Sequence, residues 1–370
     1  MPRHALFAIL VASVASMPSN VLPVLTGLLS SFHDLDDATL GYLVSTNTLA
    51  GLVISATAPL WIARVNPRIV VSACLLLHAV GLFGLGYAPN IRVLFCVQFF
   101  QGVTAVAVAS ITVSVFARLA NPARALGFKV TSDVVFAGTF LAVLPVGVLG
   151  LRGFVAALAG VFVIAAAFAS RLPQRVPDAH PTLLGLQPRG APVSAWWGLA
   201  ALVAFYTGGI GTWVFLGRLA EHAGFAPGVG ANVIAVGLFV GIVGSLGAAL
   251  AAGRFSAIWP PVLAGGAFVA SIPLLALDSG PAPFVAAVFV FNVGWNFFTP
   301  HFVALIATRD HTGRLSALVP GTVMLGGILG PTLMGNVMRL AGTETAAFVM
   351  MGFAGASVAG FGLLARRRRG

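Results

Sequence analysis

The chain has 370 residues, of which 59% are hydrophobic and only 8% charged, against roughly 25% charged in an ordinary soluble domain. Such suppression of charge excludes a soluble globular fold and suits a surface that faces lipid, and the 44 glycines suit helices packed closely in a bilayer. The net charge of +11 does not mark a nucleic-acid surface, because the cations stand in short gaps between apolar runs rather than on one face.

Runs free of Asp, Glu, Lys and Arg cover residues 4–33, 38–63, 69–91, 93–117, 134–151, 153–170, 190–217, 222–253, 255–277, 279–308, 315–338 and 345–365. A bilayer core takes about 20 apolar residues, within a range of roughly 17–25, so each run predicts one spanning helix. The first run starts at Ala5 and outlasts the 7–15 residues of a signal-peptide core, so it reads as an uncleaved first span. The fifth span is expected to begin near Ala125 and to include charged residues. The longest polar gap, 171–195, is rich in proline and reads as a cytoplasmic linker between two six-helix halves, 1–170 and 196–370. The fold class expected is therefore all-α integral membrane, with twelve transmembrane helices.

The cations set the orientation. With the N-terminus inside, the inner segments hold Arg3, Arg64, Arg68, Arg118, Arg124, Lys129, Arg171, Arg175, Arg189, Arg254, Arg309, Arg314 and Arg366 to Arg369. The outer loops hold Arg92, Arg152, Arg218 and Arg339. Sixteen against four predicts cytoplasmic termini and a basic cytoplasmic tail.

A three-helix rhythm runs along the chain. Spans 3, 6, 9 and 12 carry few polar side chains and suit lipid contact. Spans 2, 5, 8 and 11 are rich in small residues, as at Gly237, Gly241, Gly244 and Gly247, and span 11 adds Pro331. Spans 1, 4, 7 and 10 carry polar or aromatic stripes at helical spacing. Asn20 lies on the first, Gln98 and Gln101 on the fourth, Tyr206 and Trp213 on the seventh, and Asn292, Trp295 and Asn296 on the tenth. An amide in hydrocarbon needs a partner or a wet cavity, so these residues, with Asn47 of span 2, are the expected substrate-binding set. Any one of them alone has a structural explanation in helix–helix hydrogen bonding. Triplet repeats inside two halves are the organisation of secondary transporters.

Asp133 is the one acidic residue expected at membrane depth, with Lys129 one turn earlier. Desolvation penalises its charge and the ammonium favours it, so a cavity that opens and closes would change its protonation. Lys129 and Asp133 are the expected proton-coupling pair, weighed equally against a plain helix-end anchor.

Enzyme and cofactor chemistry find no support in the sequence. There is no G-x-S-x-G nucleophile motif, no phosphate-binding loop and no second membrane carboxylate. The seven histidines have no metal-ligand spacing, and Cys74 and Cys96 lie in apolar runs as two unpaired thiols.

The loop after span 2 reads Pro59-Leu60-Trp61-Ile62-Ala63-Arg64-Val65-Asn66-Pro67-Arg68, and its counterpart in the second half keeps Gly253-Arg254-Phe255. Span 4 carries Gln98-Phe99-Phe100-Gln101-Gly102, span 11 carries Gly326-x-x-x-Gly330-Pro331, and Asp310-His311-Thr312-Gly313-Arg314 precedes it. On these segments the chain resembles the major facilitator superfamily over nearly its whole length, and within it small bacterial drug:proton antiporters. The resemblance implies gate-loop roles for Arg64, Arg68, Arg254 and Arg314. Ala63 stands where that family has an Asp, Gln98 stands where the antiporters have an Arg, and span 5 lacks their G-x-x-x-G-P.

The function expected is a secondary active transporter of the bacterial inner membrane, a monomer without cofactor. It would export a small amphipathic or aromatic solute by alternating access, with protons as coupling ion. A facilitator or importer of a neutral nutrient is the alternative, motivated by Gln98. A non-transporting receptor or scaffold on the same fold is a third reading, motivated by the missing gate carboxylates.

Overall fold

The computed structural model describes residues 3–116, 118–119, 122–174, 193–251, 258–277, 280–309 and 318–366. Residues 175–192 of the expected linker, and Arg254 and Arg314 of the expected gate set, lie outside the described residues. The described residues form thirteen α-helices: α1 (Arg3–Asn20), α2 (Leu22–His33), α3 (Asp37–Trp61), α4 (Pro67–Tyr87), α5 (Ile91–Phe116), α6 (Pro122–Val143), α7 (Val146–Phe168), α8 (Val193–His222), α9 (Pro227–Ala251), α10 (Trp259–Ala276), α11 (Pro281–Arg309), α12 (Val319–Ala341) and α13 (Thr343–Arg366). A single 3-10 turn at Ala169–Arg171 follows α7.

Eleven of these helices are long and apolar enough to cross a membrane, and the bent pair α1–α2 makes a twelfth span. The first span is thus broken rather than continuous, by 48° at Val21. Pro18 lies inside α1 and Pro23 at the second position of α2. Neither ring can donate to the helical ladder, so the chain bends between them, although Val21 still donates to Met17 O at 2.9 Å and accepts from Leu25 N at 3.1 Å.

Charge did not mark every helix end. The fifth span runs from Pro122, a turn earlier than expected, and stops at Val143 rather than at Arg152. Pro145 separates it from α7. Gly150, at φ 57°, interrupts α7 in the left-handed region that glycine tolerates. Arg152 therefore stands near the start of a helix and not in an open loop. Its Nε donates to Gly86 O at 3.1 Å, and its guanidinium lies over Phe32 and Tyr87 at 5.1 and 4.8 Å. The loop before α4 ends in a side-chain cap: Asn66 accepts from Arg68 N at 3.0 Å, with Pro67 in the first helical turn.

The chain divides into two compact units. Unit 1 comprises Met1–His33 and Thr46–Gly185, and unit 2 comprises Asp34–Ser45 and Leu186–Gly370. In unit 1, α1 packs on α5 and α6, and α4 packs on α5 and α7. In unit 2, α8 packs on α12 and α13, and α10 packs on α11 and α13. Six spans apart, the pairs α1·α6 and α8·α12, α4·α5 and α10·α11, and α4·α7 and α10·α13 correspond, as an internal repeat requires.

Glycine sets the closest approaches. A Cβ on Gly102 of α5 would meet the carbonyl oxygen of Asn47 on α3, and one on Gly244 of α9 would meet the carbonyl oxygen of Val293 on α11. Both contacts are with backbone, which cannot swing aside as a side chain can. Gly244→Ala should push α9 off α11 and cost about 1–3 kcal/mol, read as a lower melting temperature in detergent. Gly266→Ala, where a Cβ meets nothing within 4 Å, should leave melting unchanged or slightly raised.

Candidate functional site

Two polar groups lie inside unit 1. In the first, Asn47 of α3 donates to both the backbone oxygen and the Oε1 of Gln98 on α5, at 3.1 and 3.2 Å. Gly102, one turn beyond Gln98, makes this approach possible. Gln101 turns to α4, where a Cβ on Gly81 would sit 3.1 Å from its Cγ. His78 of α4 shares a 2.8 Å hydrogen bond with Thr104 Oγ1 and stacks on Phe162 of α7 with centroids 4.4 Å apart. His78 Nε2 and Gln101 Nε2 are buried with no hydrogen-bond partner among the described residues. Asn20 stands apart from this group, donating to Ser16 O in its own helix at 3.0 Å.

The second group joins α1 to α6. Lys129 Nζ donates to Asp133 Oδ2 at 2.6 Å and to Ser16 Oγ at 2.8 Å. Ser13 Oγ donates to Lys129 O at 3.3 Å. The carboxyl of Asp133 is largely buried, and its Oδ1 finds no partner among the described residues. A buried carboxylate with one oxygen paired and the other unsatisfied is an expensive arrangement in hydrocarbon. It has chemical use where a proton is taken up and released.

Unit 2 holds an aromatic cluster around Trp295 of α11. Its ring lies 4.9 Å from Phe205 and 5.6 Å from Tyr206 of α8, 5.7 Å from Phe268 of α10 and 6.2 Å from Phe291 of its own helix. Gly209 of α8 makes room for it, since a Cβ there would enter the indole. Trp295 keeps partial exposure, whereas Phe205 and Phe268 are fully buried. Asn292 and Asn296 lean to the other side of the same stripe, against α9. A Cβ on Gly237 would stand 3.1 Å from Asn292 Nδ2, and one on Gly241 would stand 2.8 Å from Asn296 Nδ2. Each amide also donates down its own helix, Asn292 to Val288 O at 2.9 Å and Asn296 to Asn292 O at 2.8 Å. Ser245 of α9 reaches Asn296 Oδ1 at 3.4 Å. Trp213, half-buried on α8, lies two turns beyond Tyr206.

Of the gate-loop arginines, Arg64 is exposed after α3, and Arg68 donates through Nε to Leu172 O, tying α4 to the end of the 3-10 turn. Sequence reasoning missed the phenylalanines around Trp295. Phe205 and Phe268 are ordinary apolar residues in the sequence, and only Gly209 opposite Trp295 hinted at a ring seated there.

Twelve apolar spans in two internally repeated units, each with polar groups held inside the bundle, define a polytopic helical transport protein. Residues 5–331 match the family model described as Major Facilitator Superfamily, and the chain belongs to that family. No curated protein sequence matches it. Among solved structures it is similar to the nucleoside transporter NupG, at 16% identity, TM-score 0.73 and complete coverage of both chains. It is also similar to a bacterial homologue of the human lysosomal transporter Spinster in an inward-facing, unoccupied conformation. That match has 17% identity and a TM-score of 0.72, over 98% of this chain and 96% of the other. These likenesses establish the fold.

A further polar set in unit 2 lies at the start of α3. Tyr42 Oη donates to Asn336 Oδ1 at 2.9 Å, Ser45 Oγ lies 2.8 Å from Thr332 Oγ1, and Arg218 of α8 pairs with Asp37 at 3.4 Å. Asp36 caps α3 by accepting from Thr39 N at 2.7 Å. The hydrogen bonds from Thr39 hold the Asp36 carboxyl below its ordinary value of 3.8, with Arg339 adding a smaller pull. A depressed carboxyl stabilises the fold above its unfolded value and loses that contribution as pH falls through the folded one. Asp36→Ala should therefore cost about 0.5–2 kcal/mol at neutral pH. Thermal unfolding of the two proteins in detergent should show that gap narrowing once the buffer is taken below pH 3.8.

Proposed function

We propose that the protein is a secondary active transporter that exports a small amphipathic or aromatic solute by alternating access, with protons as the coupling ion. The observation that carries the solute class is Trp295: a partly exposed indole backed by fully buried rings, with the amides of Asn292 and Asn296 on the adjoining flank. A flat apolar face beside hydrogen-bonding groups suits a planar solute with polar edges. Tyr206 and Trp213 extend the aromatic surface within unit 2. Asn20, Asn47, Gln98 and Gln101 are the polar candidates within unit 1. No cation accompanies any of these amides in the contacts described above, which disfavours a strongly anionic solute. Arg64, Arg68, Arg254 and Arg314 are the candidate gate-loop residues. The distribution of cations supports cytoplasmic termini in a bacterial inner membrane, and the protein is proposed to work as a monomer.

Proton coupling rests on the Lys129–Asp133 pair. Its burial beside Ser16, with one carboxyl oxygen unsatisfied, supports a group whose protonation follows the hydration of its surroundings. Gln98 motivates a second reading, uptake of a neutral nutrient, since an amide pair with Asn47 replaces the cation that the antiporters use. Ethidium efflux and uridine uptake, each measured in everted and right-side-out vesicles, separate the two by direction.

The double variant Trp295→Ala/Asn296→Ala should lose transport while reaching the membrane at normal levels, and wild-type rates would remove both residues from the solute site. Asp133→Asn should lose accumulation against a gradient yet keep solute binding and downhill exchange. An Asp133→Asn protein that still concentrates solute with unchanged pH dependence overturns the coupling role.

A further inference from the structure

The Lys129–Asp133 pair of unit 1 is held from two helices. Both residues stand on α6, one turn apart, but the Lys129 ammonium also donates across to Ser16 Oγ of α1 at 2.8 Å. Ser16 Oγ has a single proton, and that proton goes to Ala12 O at 3.1 Å. The hydroxyl therefore presents only lone pairs to Lys129 and acts there as an acceptor. Ser13, three residues earlier on α1, ties the same place differently, by donating to the backbone oxygen of Lys129 at 3.3 Å. Among the described residues, the helices packed on α6 are α1 and α5. The titratable residues of α1, Arg3 and His4, lie in its first turn, and those of α5, Arg92 and Cys96, lie in its first two. On α6 itself, Arg124 lies over the ring of Phe128, more than a turn before Lys129.

Asp133 Oδ2 is taken by the ammonium at 2.6 Å, and Oδ1 is buried without a hydrogen-bond partner among the described residues. An incoming proton therefore adds to Oδ1, the oxygen whose lone pairs are free. The step turns a carboxylate into a carboxylic acid and leaves the ammonium as it was. That ammonium has then lost its counter-charge in a largely buried place, where an unpaired charge is costly. Ser16 Oγ is the acceptor left to it beside the neutral acid. The hydroxyl thus stabilises the protonated state more than the ion pair, and eases proton uptake. Ser16 also adjoins the break in the first span. Its carbonyl oxygen accepts from Asn20 Nδ2 at 3.0 Å, and α1 bends by 48° into α2 just beyond Asn20. We infer, on the coupling reading of Lys129 and Asp133 above, that Ser16 is the positioning residue of the pair. It holds the Lys129 ammonium while Asp133 is protonated, and so makes proton uptake depend on α1 being seated against α6.

The test reads the proton on Asp133 directly and needs no solute. Infrared difference spectra of the full chain in nanodiscs, recorded between buffers of stepped pH, should contain a protonated-carboxyl C=O band that Asp133→Asn lacks. In Ser16→Ala the pH at which half of that band has appeared should fall by about one unit, the scale of one hydrogen bond to a charged group. Ser16→Thr keeps the hydroxyl and should restore the wild-type midpoint. Ser13→Ala removes a bond between the same two helices without touching the ammonium, and should not reproduce the acid shift. A Ser16→Ala midpoint equal to that of the wild type overturns the role of Ser16 and leaves the coupling reading standing. So does an equal acid shift in Ser13→Ala, which would trace the effect to helix packing. If Asp133→Asn removes no band at any pH, the coupling reading itself fails, and the role of Ser16 with it.

Discussion

A polar group in hydrocarbon has no water to turn to, so whatever it bonds must come from the protein itself. The backbone meets this constraint by forming helices throughout. The side chains meet it in a way that explains much of the interior. Thr57 donates to Val53 O, Thr112 to Val108 O, Asn292 to Val288 O and Thr299 to Trp295 O. Each is a bond one turn back within the same helix, the cheapest way for a lone hydroxyl or amide to be satisfied. Such residues need no neighbour and place no demand on how helices meet.

The polar groups that reach across helices are the exceptions. Asn47 with Gln98, His78 with Thr104, and Lys129 with Ser16 require two helices to arrive in register. At Gln98 the register is fixed by Gly102, where the backbones of α3 and α5 meet without a side chain between them. At Trp295 it is fixed by Gly209, which accepts a ring where another residue would present its Cβ. Small residues and cross-helix contacts therefore occur together, because a short polar side chain reaches a neighbour only where the helices are close.

That coupling decides what could be read from the sequence. The number of spans and their all-helical character were legible, because charge is excluded from lipid and twelve runs without it remain. The i, i+4 spacing of Lys129 and Asp133 was enough to foresee their ion pair. The break at Val21 was harder, since Pro18 and Pro23 interrupt the ladder without interrupting hydrophobicity. Asn292, Trp295 and Asn296 share a stripe in the sequence, yet the amides lean on α9 and the indole on α8. A helical wheel gives the face that is polar and cannot give the two neighbours that divide it. The docking of Tyr42 and Ser45 on α12 left no sequence signal, because each partner is a single polar residue some 290 positions away.

The arginines show the same limit from the side of charge. A charge marks the end of a span only where the helix ends there too. Arg92 lies in the first turn of α5, and Arg218 and Arg339 lie in the closing turns of α8 and α12, so those helices continue past their apolar stretch into the membrane surface. An arginine stem is apolar for most of its length, and its head can reach the interface from a turn inside the helix. Arg152 is the clearest case. Its guanidinium is stationed between the rings of Phe32 and Tyr87 and the carbonyl of Gly86, so it binds α2 and α4 to the start of α7 while remaining near the surface. A cation so placed contributes to the packing of unit 1 as much as to its orientation. Counting cations thus gives the side of the membrane, whereas helix ends follow from backbone breakers such as Pro145 and Gly150.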